Sequence, residues 1–117
     1  MIYYLKGVVL ELTPTYAVVE VGGVGYYVSV SLNTSQKLQQ GRECLLYTQQ
    51  IIREDAHLLF GFYEKAEKEM FNLLISVNGV GAVSAMILLS SLDLAEISRA
   101  ILSGNSGVLQ KVKGIGV

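Results

Sequence analysis

Apolar and polar positions alternate along the first half of this chain and recur at helical spacing along the second, with the change near residue 63. The first half predicts five strands: about Ile2 to Leu12, Tyr16 to Val21, Tyr26 to Val30, Cys44 to Arg53, and His57 to Tyr63. Thr13-Pro14-Thr15 turns the chain after the first strand, and Gly22-Gly23-Val24-Gly25 supplies the hairpin after the second. Between the third and fourth strands, Asn33-Thr34-Ser35 is placed to cap a short helix through Leu38 that Gly41 ends. Three strands, a short helix and two strands is the order of a five-stranded OB-type barrel, with an SH3-like barrel as the alternative.

After Tyr63 the spacing is helical. Glu64 to Val77 carries Met70, Phe71, Leu74 and Val77 on one stripe, and Ala82 to Leu92 is almost wholly apolar, which predicts burial on most sides. Asp93 is placed to cap a third helix, with Glu96 as its capping-box partner and Gly104 at its end. Ser106 or Gly107 opens a fourth, short helix through Val112. The fold class expected is α+β with two domains, a barrel over 1–63 and an all-helical module over 64–117. No proline- or serine-rich linker separates them, so the halves are expected to pack together.

Composition narrows the possibilities. At 117 residues, 51% hydrophobic and 16% charged, the chain has enough apolar residues to fold. A net charge of −1 gives no global sign of nucleic acid or of an anionic membrane. The single cysteine, Cys44, excludes an internal disulfide and a multi-cysteine zinc site, and it reads as a small buried thiol. His57 is the only histidine, so one chain builds no His-based metal cluster. Met70 to Leu92 is uncharged and long enough to span a bilayer, but Asn78, Gly79 and Gly81 at its centre favour two buried helices broken there. No membrane association and no secretory signal are expected.

The helical half contains a repeat. Leu74-Ile75-Ser76-Val77-Asn78-Gly79-Val80-Gly81 matches Leu109-Gln110-Lys111-Val112-Lys113-Gly114-Ile115-Gly116, thirty-five residues on, as L-x-x-V-x-G-[VI]-G. Glycines at alternate positions permit positive φ and close backbone approach, and N–H groups beside a helix N-terminus cradle a phosphate. The apolar residue between the glycines is placed to turn inward. A dinucleotide fingerprint is disfavoured, because residue 84 is Ser and the preceding element is a helix. A bare helix–helix connection stays open for either copy alone. Gly22-Gly23-Val24-Gly25 looks similar but lies between strands and is set aside.

Glu54 and Asp55 sit together in the turn between the fourth and fifth strands. An ordinary solvated turn is one reading, and a metal-binding pair for a nuclease is another. Against the nuclease, adjacent strand residues point apart and no further carboxylate cluster follows.

A barrel followed by a doubled helix-hairpin-helix resembles the RuvA family, the Holliday-junction-binding subunits of the bacterial branch-migration helicase. The resemblance covers the whole chain. It is carried by Met1-Ile2, by Glu20-Val21-Gly22-Gly23-Val24-Gly25-Tyr26, by Asn78-Gly79-Val80-Gly81 and Gly114-Ile115-Gly116, and most specifically by the block from Arg53-Glu54-Asp55-Ala56-His57 through Phe62. It implies a homotetramer whose barrels form a platform, with hairpins gripping the arms of a four-way junction. The hairpin residues would be Asn78, Gly79, Val80, Gly81, Ala82 and Val83 in the first motif, and Lys111, Lys113, Gly114, Ile115 and Gly116 in the second. Glu54 and Asp55 would form the acidic pin at the platform centre, with Arg53 beside it to hold a phosphate or neutralise the turn.

On this resemblance the chain is a non-catalytic DNA shaper with no cofactor, working in the bacterial cytoplasm. It would read junction geometry rather than base sequence. ATP hydrolysis would belong to the partner motor RuvB, with the resolvase RuvC a further partner; no Gly-rich loop ending in Lys-Ser/Thr occurs here. The runner-up functions are a generic duplex-binding module of a repair protein and a structural oligomerisation domain whose acidic turn only solubilises.

Three departures from the family pattern stand out. Where the family commonly has Pro-Lys after the first hairpin, this chain has Ala82-Val83, which removes one phosphate contact. Charge is modest: residues 1–63 hold four Lys/Arg against five Asp/Glu, and 64–117 hold five against five, leaving Lys111 and Lys113 as candidates for compensation. Third, Gly116 is followed only by Val117, so a second motif without its closing helix, and without the motor-docking domain, is expected of a fragment of a longer protein.

Overall fold

In the computed structural model, residues 1–77 and 79–102 are described, with the side chains of 101 and 102 excepted. Five strands close a barrel in the order β1-β2-β3-β5-β4, with β4 returning to β1. They are β1 (Tyr4–Leu12), β2 (Tyr16–Val21), β3 (Val24–Val30), β4 (Glu43–Ile52) and β5 (His57–Phe62), with a short helix α1 (Leu32–Lys37) between β3 and β4. All pairings are antiparallel except β3 with β5. This is the expected OB-like order.

Period-two alternation builds the barrel interior. Leu5 and Val9 of β1, Ala17 and Val19 of β2, Val28 and Val30 of β3, and Leu46 of β4 are buried together, with Leu38 after α1. Complete burial of a valine or leucine stabilises by roughly 1.5–3 kcal/mol, so these positions hold the barrel shut. In β1 the register with β2 shifts between Val9 and Glu11, which leaves Leu10 as the extra residue of a bulge that bends the strand. Tyr4, Val8, Leu10 and Tyr27 stay exposed on the outside.

The cap of α1 differs from expectation. Ser31, not the Asn33-Thr34-Ser35 run, is the N-cap, its Oγ accepting from the Thr34 N–H at 3.1 Å. Ser31 follows directly on β3 and keeps extended backbone, the geometry an N-cap needs. Thr34 and Ser35 lie inside the helix, buried. The helix stops at Lys37 with Leu38 as C-cap, before Gly41 is reached. Cys44 is half-buried rather than buried, because it lies on β4 beside Gly7 near the barrel rim; partial burial pushes its thiol up from the ordinary range.

Three further helices follow: α2 (Lys65–Ile75), α3 (Ala82–Ser91) and α4 (Leu94–Leu102). Phe71 and Leu74 of the expected α2 stripe are fully buried. On α3 Ala82, Ala85, Leu88 and Leu89 are buried along one face and Ser84, Met86, Ile87 and Ser90 are half-buried, so most of the helix is covered as expected but only one face completely; Val83 is 70% exposed. The capping box of α4 is reciprocal, with the Glu96 N–H donating to Asp93 Oδ1 at 2.7 Å and the Asp93 N–H donating to Glu96 Oε1 at 3.0 Å. The chain divides into two compact units, Met1–Lys68 and Glu69–Val117, after Lys68 rather than after Tyr63. Among the described residues no helix is long and apolar enough to cross a membrane. The helix expected from Ser106 or Gly107 lies outside the described residues.

Candidate nucleic-acid interface

The acidic tip belongs to the first unit. β4 and β5 pair without interruption from Tyr47↔Phe62 to Ile52↔His57, which leaves a four-residue loop, Arg53 to Ala56. The Arg53 N–H donates to the Ala56 carbonyl at 2.7 Å and closes it. Ile52 is 64% exposed, and Arg53, Glu54, Asp55 and His57 are exposed with it, so the hairpin runs past the buried core. Among the described residues no ion pair neutralises Glu54 or Asp55, and no group of three His, Cys, Asp or Glu side chains is placed to hold a metal. What this arrangement offers is two adjacent carboxylates in solvent, at the end of a rigid two-stranded support.

The first glycine turn belongs to the second unit. Beyond α2, the Ser76 and Val77 N–H groups donate to the Leu73 and Leu74 carbonyls at 3.2 and 3.0 Å, and the Val80 N–H donates to the Val77 carbonyl at 3.1 Å. Gly79 has φ of +86°, in the left-handed region. Val80 between the glycines is turned inward, 8% exposed. Gly81 is the N-cap of α3 and offers no side-chain bond to the first-turn N–H groups. A helix start with positive dipole, no capping side chain and a glycine approach can accept an anion on its backbone. Val83, exposed in the first turn, adds no charge to that site.

A Cβ placed on Gly79 or on Gly81 meets nothing within 4 Å, so the two positions differ only in backbone conformation. Gly79→Ala is expected to lower stability by about 1 kcal/mol because of its positive φ. Gly81→Ala, at φ −92°, meets no such strain and is expected to cost less, about 0.5 kcal/mol, because glycine is preferred to alanine at an N-cap. Denaturant midpoints of the two variants measure this, and equal effects would remove the conformational account of Gly79.

Of the other residues singled out in the sequence, Asn78 and the whole second turn with Lys111, Lys113, Gly114, Ile115 and Gly116 lie outside the described residues. The structure adds residues that the sequence did not mark. Glu67 and Lys68 at the start of α2 are buried, both charged, with partners on α1 and near the N-terminus. Their one sequence signal is the spacing of Glu64, Glu67 and Lys68 at i, i+3 and i+4, a charged stripe that ordinarily faces water.

Comparison with known proteins adds the family. The family model of the RuvA N terminal domain matches residues 1–61, just over half of the chain. Curated relatives named Holliday junction branch migration complex subunit RuvA include that of Christiangramia forsetii, 47% identical over 99% of this chain and 60% of its own length. The relatives of the same name from Bacteroides fragilis and Porphyromonas gingivalis are 47% and 49% identical over 100% of this chain and 58% of theirs. The chain thus spans about 60% of the length of the curated relatives it matches. With its barrel closed in the OB-like order and the Arg53-to-Phe62 block forming the loop and second strand of the β4–β5 hairpin, the chain belongs to the RuvA N-terminal-domain family.

Proposed function

We propose that this chain binds four-way (Holliday) DNA junctions by their structure and holds them open for branch migration driven by a partner ATPase. The observation that carries this reading is similarity, at 47% identity over 99% of this chain and 60% of the relative, to a subunit named for that complex. The geometry supports the same reading. The helices α2 and α3 with the turn between them serve as a helix-hairpin-helix, and residues 79–83 hold a phosphate by backbone N–H groups. Lys111 and Lys113 with Gly114, Ile115 and Gly116 serve as the second hairpin of a tandem pair and carry the charge that Val83 lacks. Contacts of this kind see phosphates and not bases, so recognition is independent of sequence.

In this reading four chains assemble through barrel surfaces, for which the exposed Tyr4, Val8, Leu10 and Tyr27 supply apolar area. Glu54 and Asp55 from each chain then crowd negative charge where strands exchange, repel phosphates there and favour the open junction. Arg53 holds the nearest phosphate. The subunit shapes DNA and does no chemistry; a RuvB-type motor hydrolyses ATP, RuvC resolves the junction, and the site of action is the bacterial cytoplasm.

The test is competition. A fluorescent four-way junction bound to the protein is challenged with unlabelled junction or with linear duplex of the same arm sequences. Junction is expected to compete at least roughly a hundredfold better, as simultaneous engagement of several arms implies. Equal competition would leave a duplex-binding module, and absence of binding to either would leave an oligomerisation domain.

A further inference from the structure

Where the chain passes from α1 into β4, a cleft of about 670 Å3 opens between that loop, the first half of β4 and Tyr63. Every lining residue belongs to the unit Met1–Lys68. The volume lies in the range of clefts that take small molecules, about 300–1,000 Å3. The loop is tied to β1 by its backbone. Gly41, at φ +85°, donates its N–H to the Val9 carbonyl at 2.7 Å, and the Arg42 carbonyl accepts from the Val9 N–H at 3.0 Å. The Arg42 N–H donates to the Gln39 carbonyl at 3.1 Å. Arg42 is thus anchored at the main chain and exposed at the side chain, on the cleft wall.

Two kinds of group converge there. The first is cationic. Among the described residues Arg42 has no ion-pair partner, and Lys37 pairs with Glu64 at 2.7 Å across an exposed contact, weak enough for another anion to displace. The second kind is aromatic: Tyr47 and Tyr63 both line the cleft, and Tyr63 is 44% exposed with Lys37 Nζ 5.6 Å from its ring centre. Glu43 is the one acidic residue of the lining, and Cys44 adds no charge, because burial pushes its thiol up from the ordinary range. Two cations against one carboxylate favour a ligand with a single phosphate over a run of them.

We propose that this cleft is a nucleotide site, in which Arg42 and Lys37 hold one phosphate and the rings of Tyr47 and Tyr63 take a base. A guanidinium offers a phosphate two parallel N–H donors, and a tyrosine ring stacks on any base. A bare anion would leave the rings unused, and an apolar ligand would leave Arg42 unused. The same chemistry is carried by a free mononucleotide and by the 5′-phosphorylated end of a DNA strand. The inference does not depend on the junction-binding reading above, since it uses neither the acidic tip nor the turn at 79–81.

The experiment is an NMR titration of the chain, following backbone amides, with dAMP, deoxyadenosine, inorganic phosphate and a 5′-phosphorylated single-stranded tetranucleotide. With dAMP, saturable shifts are expected at residues 37–47 and 63, and deoxyadenosine and phosphate are each expected to bind at least roughly tenfold more weakly. Arg42→Gln and Tyr63→Leu are expected to weaken dAMP roughly tenfold and roughly fivefold. Both side chains are exposed, so the denaturant midpoint should not move. Tighter binding of the tetranucleotide than of dAMP would support the site as one for strand ends, and equal or weaker binding would support it as one for free nucleotides. Absence of shifts at the cleft, or shifts confined to 79–83, would overturn the inference. So would phosphate binding as well as dAMP, or dAMP affinity unchanged in both variants.

Discussion

Reversing the charge of the β4–β5 tip, as Glu54→Lys with Asp55→Lys, is expected to tighten junction binding on the order of a hundredfold at low salt. Each chain changes by four charge units at one exposed loop, and the described residues contain no ion pair that would absorb the change. If four tips meet at the strand-exchange point, the effect is multiplied where phosphates are closest together. Such a field is screened beyond roughly 10 Å at about 0.1 M salt and roughly 3 Å at about 1 M, so the gain must shrink as salt is raised. The slope of log affinity against log salt should steepen by about 0.9 for each lysine that reaches a phosphate. Fluorescence titrations across a salt series check both expectations, with linear duplex as control. A variant with the affinity and slope of the unsubstituted protein would show that the tip never meets DNA and is a solvated turn. Folding is expected to be unaffected, since the substituted side chains lie in solvent.

The largest expected effect on stability lies at Gly7. A Cβ there would sit 2.1 Å from the Glu20 carbonyl oxygen and 2.9 Å from Val21 Cγ2. The first neighbour is backbone, and β1 is held on both sides at this point, by Val8↔Glu20 on β2 and Gly7↔Cys44 on β4. Neither strand can retreat without breaking pairs that close the barrel. Gly7→Ala is expected to cost about 3 kcal/mol, a large share of the roughly 5–15 kcal/mol by which such domains are stable. A lower denaturant midpoint with an unchanged slope reads this directly, and an unshifted midpoint would mean that the strands do not approach so closely in solution.

The candidate interface was legible where its signals are local. The β-rich runs from Cys44 to Arg53 and from His57 to Tyr63 mark two strands, and the loop lies where the charged residues Glu54 and Asp55 separate them. Gly79 and Gly81 flank a valine next to a helix start, and all three play the backbone roles that their types suggest: positive φ, inward side chain, uncapped N-terminus. The burial of Glu67 and Lys68 at the start of α2 was not legible, because no rule of spacing distinguishes a buried charged stripe from a solvated one. Only the partners do, and Ser31 and Thr34 lie 36 and 33 residues from Glu67.

The same division runs through the whole molecule. Tyr16–Val21 has in the fold the bounds its alternation predicts, and Asp93 with Glu96 forms the box its spacing predicts, because both depend on interactions within a few residues. By itself, then, the sequence determined the identity and order of the elements among the described residues, the acidic tip and the first glycine turn. The tertiary structure decided matters that depend on what comes near after closure. The close approach of β2 to β1 leaves no room for a side chain at Gly7. The register shift between Val9 and Glu11 leaves Glu11, which strict alternation would turn inward, exposed, and Ser31 takes the cap of α1 because β3 ends immediately before it. Glu67 keeps a buried carboxylate because two hydroxyls from α1 arrive to meet it. Local preferences are set by short-range sterics and hydrogen bonds along the chain, whereas the cost of a buried charge or a close approach is set by atoms that the chain brings back from tens of residues away.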